Sequence, residues 1–389
     1  MFRFLLLILA IILYGSFEPW AFNFAKPGNP LSALLRSWPA MGIPAMGDAL
    51  VNIVMYFPFG ALVWGIAARR CSRNSSLILA AALSFIASGA VEFLQFYDRG
   101  RVGSLFDVAT NVLGGFAGAA AAILFLSKWE HWRPARLSRA EAASFVLLLV
   151  GWAGYEAYPM HPLFDAHMLH NGLAHVLHPP AISAAAILRN AAEWMAAAVL
   201  VETVAGRMRV LWMLVALAYL PLRLIMPTPG LDAEQLLGPA LAMLLYAAAG
   251  RLEFRARTLA AAGLLLAALA VDNLAPLRFS SAAQPFAWDP FLNLTGRDWA
   301  PATMALWREA YDFGAAVAIL RLGGMSSSAA SVALVAGLSL CQAARIWMPE
   351  NPPDLTELAM ALLTGLTLAW LAGEIGQAHR PIAKPPPSD

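Results

Sequence analysis

Apolar runs of about twenty residues recur along this chain from end to end, and a run of that length, wound as an α-helix, matches the hydrocarbon thickness of a bilayer. They lie near 3–22, 48–68, 76–97, 105–127, 141–158, 182–205, 209–226, 232–250, 256–275, 303–321, 327–347 and 355–374. The expected fold is therefore all-α, a polytopic membrane bundle of about twelve transmembrane helices. Composition agrees: hydrophobic residues make up 60% of the 389 positions and charged residues 13%, against roughly 45–50% and 25% in soluble domains. A soluble body could not hide that much apolar surface. A formal net charge of +2, with Lys and Arg spread through short connections, argues against nucleic acid and leaves the lipid bilayer as the expected partner.

Phe4 to Leu13 follows Arg3 in the manner of a secretory leader, but Tyr14-Gly15-Ser16-Phe17-Glu18-Pro19-Trp20 offers no small-x-small cleavage site. The first helix is expected to be retained. Basic residues set the orientation, because short cytoplasmic connections keep their positive charge during insertion. Arg69, Arg70 and Arg73, then Lys128, Arg133, Arg136 and Arg139, then Arg207 and Arg209, then Arg251, Arg255 and Arg257 fall on one side, together with both termini. That side is read as the cytoplasm of a multi-pass protein of the cell membrane, and Tyr158 to Pro180, with no Lys or Arg, as external. Cys71 and Cys341 then lie toward opposite faces and define no disulfide framework.

The loop rhythm suggests a four-helix unit used three times: helix, long outer loop, helix, short inner loop, helix, short outer loop, helix. Asp48 and Asn52, Arg189 and Glu193, and Arg308 and Asp312 are i,i+4 pairs at the outer start of each second helix. Asp107 and Asn111, Asp232 and Gln235, and Asp354 and Glu357 open the fourth helices. One register pairs Gln95 with Gln342, Asp107 with Asp354 and Gly118 with Gly365, leaving Ser339 opposite Glu92. Units of even helix number share one orientation, so an axis along the membrane normal would relate them.

The densest polar constellation is in the first unit: Asp48, Asn52, Glu92, Gln95, Asp98, Arg99, Arg101, Ser104, Asp107 and Asn111, all at outer helix ends. At 100° per residue, Glu92 and Gln95 share a face, and Asp107, Asn111, Gly114 and Gly118 fall within about 60°. One stripe thus presents polar groups outward and glycines deeper, where helices can approach closely. Carboxylates at membrane depth face a bundle interior or a wet cavity. Two readings stay open: a ligand cavity, or a packing device in which Asp107 caps its helix and Arg101 holds the turn.

The ordered set Asp48-x3-Asn52, Phe57-Pro58-Phe59-Gly60, Glu92-x2-Gln95, an arginine, Ser104 and Asp107-x3-Asn111-x2-Gly114 resembles the VanZ-like family of bacterial membrane proteins, over residues 10–127 or so. The resemblance implies association with the bacterial cell envelope at the inner membrane and, from the family's namesake, a link to antibiotic resistance against the glycopeptide teicoplanin. It implies no established reaction. The chain then divides into a VanZ-like unit (1–130), two degenerate units (131–252 and 253–378) and a disordered cytoplasmic tail (379–389).

His161, His167, His170, His175 and His178, with Asp165, crowd the second long loop. Imidazole ligates zinc, yet no signature of fixed spacing is present. Leu169, Leu173, Val176 and Leu177 make the stretch read as an amphipathic segment at the lipid surface. Nucleophile elbows, phosphate-binding loops and zinc-protease patterns are absent, so no catalytic residue, cofactor or metal ligand set is expected.

The expected function is an outward-facing polar cavity that binds or shields a lipid-linked or cell-wall group. One alternative is a membrane-embedded enzyme acting on a lipid-linked sugar, with Glu92 or Asp107 as general acid or base. Another is a transporter, suggested by the repeats and by Pro227-Thr228-Pro229-Gly230. A transporter needs polar groups near the midplane, whereas these cluster at the outer ends.

Overall fold

The computed structural model describes residues 1–17, 21–38, 43–99, 101–132, 137–156, 170, 182–205, 219, 232–291 and 299–373, and of 43–47, 125–132 and 299–303 the backbone only. Among the described residues the chain is all-α: α1 (Phe2–Phe17), α2 (Pro30–Leu35), α3 (Ile43–Ala67), α4 (Arg73–Gln95), α5 (Leu105–Trp132), α6 (Arg139–Glu156), α7 (Ala184–Ala205), α8 (Ala233–Ala249), α9 (Phe254–Leu274), α10 (Trp299–Leu322), α11 (Ser327–Arg345) and α12 (Thr356–Ala372). Each apolar run of the sequence carries a helix except 209–226, of which Tyr219 alone is described. The tail 379–389 and the loop histidines other than His170, which is exposed, lie outside the described residues.

Local chemistry explains the helix ends. Ser72 and Ser326 cap α4 and α11 by accepting from the Ser75 and Ala329 N–H groups, and Gly373 closes α12 with a left-handed φ of 83°, a conformation that costs a residue without Cβ little. The short α2 was not expected from apolar periodicity. Asn29 caps it, accepting from the Leu31 and Ser32 N–H groups, with Pro30 in the first turn, where a missing N–H is harmless.

Among the described residues six helices are both long and apolar enough to cross a bilayer: Asp48–Ala67, Arg73–Gln95, Leu105–Leu124, Ala184–Ala205, Phe254–Leu274 and Ser327–Arg345. Shorter apolar helices at Phe2–Phe17, Ala233–Ala249 and Thr356–Ala372 accompany them. Ile78, Phe85, Ile86, Leu244, Val332 and Leu340 point away from the packed interior. Side chains of that kind are stable in such number when lipid surrounds the bundle. The chain is a multi-pass membrane protein.

Two cores organise it. Ile8, Ile12, Tyr56, Phe59, Val63, Ala80 and Ala119 fill the N-terminal bundle of α1 and α3–α5. A larger core runs through α6–α12, from Phe145 and Trp152 to Leu368. Its centre is α7 and α10, in which every residue from Ala191 to Leu200 and from Tyr311 to Leu320 is buried. Alanine makes up much of both stretches and lets neighbouring backbones close in. The two bundles meet where Arg3 donates to the Trp370 carbonyl and where Leu147 of α6 packs on the N-terminal core.

In the N-terminal bundle α3 lies along α5, and glycines set how closely. A Cβ at Gly118 would sit 1.8 Å from the Phe57 carbonyl oxygen, one at Gly60 1.8 Å from that of Gly115, and one at Gly114 2.4 Å from that of Ile53. These obstacles are backbone, so the helices themselves would have to part. Gly118→Ala is expected to cut the amount of folded protein in the membrane several-fold, whereas Gly89→Ala, which meets nothing within 4 Å, should leave it unchanged. Fluorescence-detected size exclusion of the two variants checks the difference; equal yields would contradict the packing argument.

Candidate functional site

The candidate site sits where the last turn of α4, the first turn of α5 and the loop after α1 converge. The connection from α4 to α5 turns back tightly: Asp98 accepts from the Ala21 N–H at 3.2 Å, and the backbones of Asn23 and Arg99 donate to Tyr97 and Ala21. Phe22 stacks on Phe24, and Phe24 reaches Tyr97. Below this lid Glu92, 4% exposed, accepts from the Ser104 N–H at 2.8 Å. Gly103 makes that bond possible, since a Cβ there would lie 2.4 Å from the Glu92 carbonyl oxygen. Gly103-Ser104 has no meaning as a nucleophile elbow; its glycine lets the loop cross the end of α4.

A cavity of about 230 Å³ opens above Glu92. Lys26, Glu92 and Arg101 are its charged lining, and Pro30, Ala33, Leu34, Phe96, Val102 and Gly103 form the rest. The Lys26 ammonium lies 4.6 Å from the centre of the Phe96 ring, and Arg101 donates to the Gly15 carbonyl at 3.2 Å. Arg101 is also within Coulombic reach of both Glu92 and Asp107. Apolar side chains make up most of its surface, with Lys26, Arg101 and Glu92 set among them. Such a site fits an amphiphile with a polar head.

Of the sequence candidates, Glu92 and Arg101 line this cavity. Ser104 serves through its backbone and as the cap of α5, where its hydroxyl accepts from the Asp107 N–H at 3.4 Å; the cap expected at Asp107 is moved three residues upstream. Gln95 ties α4 to α1 by donating to the Ser16 carbonyl at 2.8 Å. Asn111 donates to the Ser88 hydroxyl at 2.9 Å, and Asn52 to the Thr110 hydroxyl at 3.3 Å. Asp107 is within reach of Asp48 and Asn52 in a second polar layer between α3 and α5. Arg99 is exposed and contributes its backbone to the lid. Sequence reasoning missed Lys26. It is one of two cations, with Arg36, in a long loop, and only the folding of that loop over α4 brings it to the cavity that Glu92 lines.

Residues 1–126 match a protein-family model described as VanZ/LLP1. The first third of the chain is a VanZ-like domain. Its matched span ends within α5, so the cavity and the α3–α5 contact both belong to the VanZ-like domain. No curated protein and no solved structure matches the chain.

The C-terminal bundle repeats one detail of the VanZ-like domain. Gln342 of α11 accepts from the Asp354 N–H at 3.0 Å, twelve residues on, just as Glu92 accepts from Ser104 twelve residues on. Gly365 faces the Ser331 hydroxyl as Gly115 faces that of Ser84. Ser339, read in the sequence opposite Glu92, donates to the Val335 carbonyl of its own helix.

A second polar assembly lies inside α7, α9 and α10. Arg189 donates to Glu193 at 3.3 Å, to Asp312 at 2.8 Å and to Asp272, while Arg308 donates to Glu193 at 2.7 Å. Glu193 and Asp312, read in the sequence as outer helix starts, stand midway along α7 and α10 and are wholly buried. The pairs Arg189/Glu193 and Arg308/Asp312 are therefore one interlocked network across helices. Of the described residues no group of three or more His, Cys, Asp or Glu is arranged to hold a metal ion.

Proposed function

We propose that this chain is a VanZ-like protein of the bacterial cell envelope whose outward-facing cavity binds or shields a lipid-linked or cell-wall group. The observation that carries this reading is the cavity beside Glu92, largely apolar and lined also by Lys26, Arg101 and Glu92. A phosphate-bearing head would lie against Lys26 and Arg101, its hydroxyl or amino groups toward Glu92, and its lipid tail along Leu34 and Phe96. A link to glycopeptide resistance follows from sequestering such a group. The basic connections support a cytoplasmic side for both termini and an external face for the cavity. The matching bonds of Glu92 and Gln342 support an origin in repeated four-helix units, in which the last unit keeps the bond and has lost the charge.

The cavity is tested by what it retains. The full chain, extracted with native lipid and examined by native mass spectrometry, should carry an anionic lipid or lipid-linked species that Lys26→Glu releases. Lys26 is exposed, so this change leaves folding intact. Equal retention by both proteins would rule out the cavity as the binding site.

A further inference from the structure

The cavity beside Glu92 lies at the edge of the spanning helices. The spanning part of α4 ends at Gln95 and that of α5 begins at Leu105; Glu92 falls in the last turn of the first, and Phe96, Arg101, Val102 and Gly103 in the connection between them. The lining from α2 is held at the same level. The Ser37 hydroxyl, two residues past the end of α2, accepts from the Leu105 N–H at 3.0 Å, and Trp38 meets Phe106 edge to face with ring centres 5.7 Å apart. Around the mouth the outward side chains are apolar: Val102, part of the lining, is 83% exposed, and Leu31 and Leu35, one turn apart on α2, are exposed with Phe24 and Trp38. Such a grouping is rare against water and expected at the edge of a bilayer. It also joins the lipid-facing surface of α4, since exposed Phe93 meets Tyr97 with ring centres 6.2 Å apart and Tyr97 meets Phe24 at 5.5 Å. Lys26 and Arg36, both exposed, set cations at the level of lipid head groups.

We infer that the cavity opens sideways into the bilayer, between Val102 and α2, and that its ligand is a membrane-resident anionic lipid whose head is drawn in toward Lys26 and Arg101 while its chains stay in the leaflet. The inference rests on the binding reading above and narrows it from a lipid-linked or cell-wall group to a chain-bearing one. Size points the same way. At about 230 Å³ the cavity is smaller than the about 300–1,000 Å³ of pockets that enclose a whole small-molecule ligand, so it takes a head group and leaves the chains outside. Those chains then lie along Val102, Leu31 and Leu35, which are already turned outward. A lipid phosphate reaches Lys26 from head-group level without leaving the membrane. A water-soluble sugar phosphate or peptide would have to pass an apolar rim that offers it no hydrogen bond in exchange for the water it sheds.

The test places a bimane fluorophore on Val102→Cys, on Leu35→Cys and, as the lipid-facing reference, on Ile86→Cys, each in the full chain carrying Cys71→Ser; Cys341 is buried. The proteins are reconstituted in vesicles of phosphatidylcholine and phosphatidylglycerol. Phosphatidylcholine brominated along its chains should quench Val102→Cys and Leu35→Cys to an extent comparable with Ile86→Cys, and iodide in the water should quench all three weakly. Strong iodide quenching at Val102→Cys with none from brominated lipid would overturn the sideways opening. Quenching by neither would overturn it too, since protein would then cover the rim. These readings need no bound ligand, so they are decided apart from the Lys26→Glu comparison that tests the binding reading. In native mass spectrometry phosphatidylglycerol should be retained and glycerol phosphate, the same head without chains, lost; retention of glycerol phosphate as firmly as the lipid would overturn the chain-bearing ligand.

Discussion

Exchanging Arg189 for methionine is expected to remove most of the folded protein from the membrane. Arg189 donates at once to Glu193, Asp272 and Asp312, on three different helices. Without it Glu193 keeps Arg308 alone, and nothing at that depth rehydrates what remains. Removing one partner of a buried charged set costs about 3–5 kcal/mol, a large part of the stability of a typical folded domain. The comparison is Arg278→Met: Arg278 pairs with Glu350 at 3.0 Å, but the two side chains are 73% and 45% exposed. An exposed pair contributes about 0–1 kcal/mol, so that variant should accumulate normally. Membrane levels measured in parallel decide it, and normal accumulation of Arg189→Met would show that the network is not what holds α7, α9 and α10 together.

The second large effect is expected at Glu92, and it separates charge from shape. Glu92→Gln should fold, because a glutamine side-chain oxygen can take the Ser104 N–H just as Gln342 takes that of Asp354. The protein itself supplies the precedent. What is lost is the carboxyl group at the cavity floor, and a hydrogen bond made to it by a ligand contributes about 0.5–1.5 kcal/mol. Lipid retention in native mass spectrometry should therefore fall several-fold at unchanged abundance. Glu92→Ala should in addition lower the melting temperature, since it leaves the half-buried Ser104 N–H without its side-chain acceptor at about 1 kcal/mol. Undiminished retention in Glu92→Gln would remove Glu92 from the binding machinery while leaving its structural role intact.

Much of this protein follows from sequence through one-dimensional physics. Apolar runs long enough to span a bilayer require helices, since no other open structure satisfies its own backbone in hydrocarbon. The glycines of α5, in phase with Asp107 and Asn111, foretold a close helix contact on that face, and Gly114 and Gly118 lie against the α3 backbone. The ordered polar set from Asp48 to Asn111 was enough to point to a VanZ-like domain, which the family match over residues 1–126 bears out. Spacing could not say which polar groups meet. Nothing in the position of Gln342 along its helix says that its side-chain oxygen takes the Asp354 N–H. Nor could it say how deep a charge lies. Glu193 and Asp312 look like residues at helix starts in the chain, and only the packing of α7 against α9 and α10 makes them part of a buried ionic network. Lys26 reaches the cavity because a loop folds over the end of α4, a contact between segments distant in sequence. Local periodicity sets which face of a helix is polar; the partner that face meets, and the water it loses, depend on every other helix in the bundle.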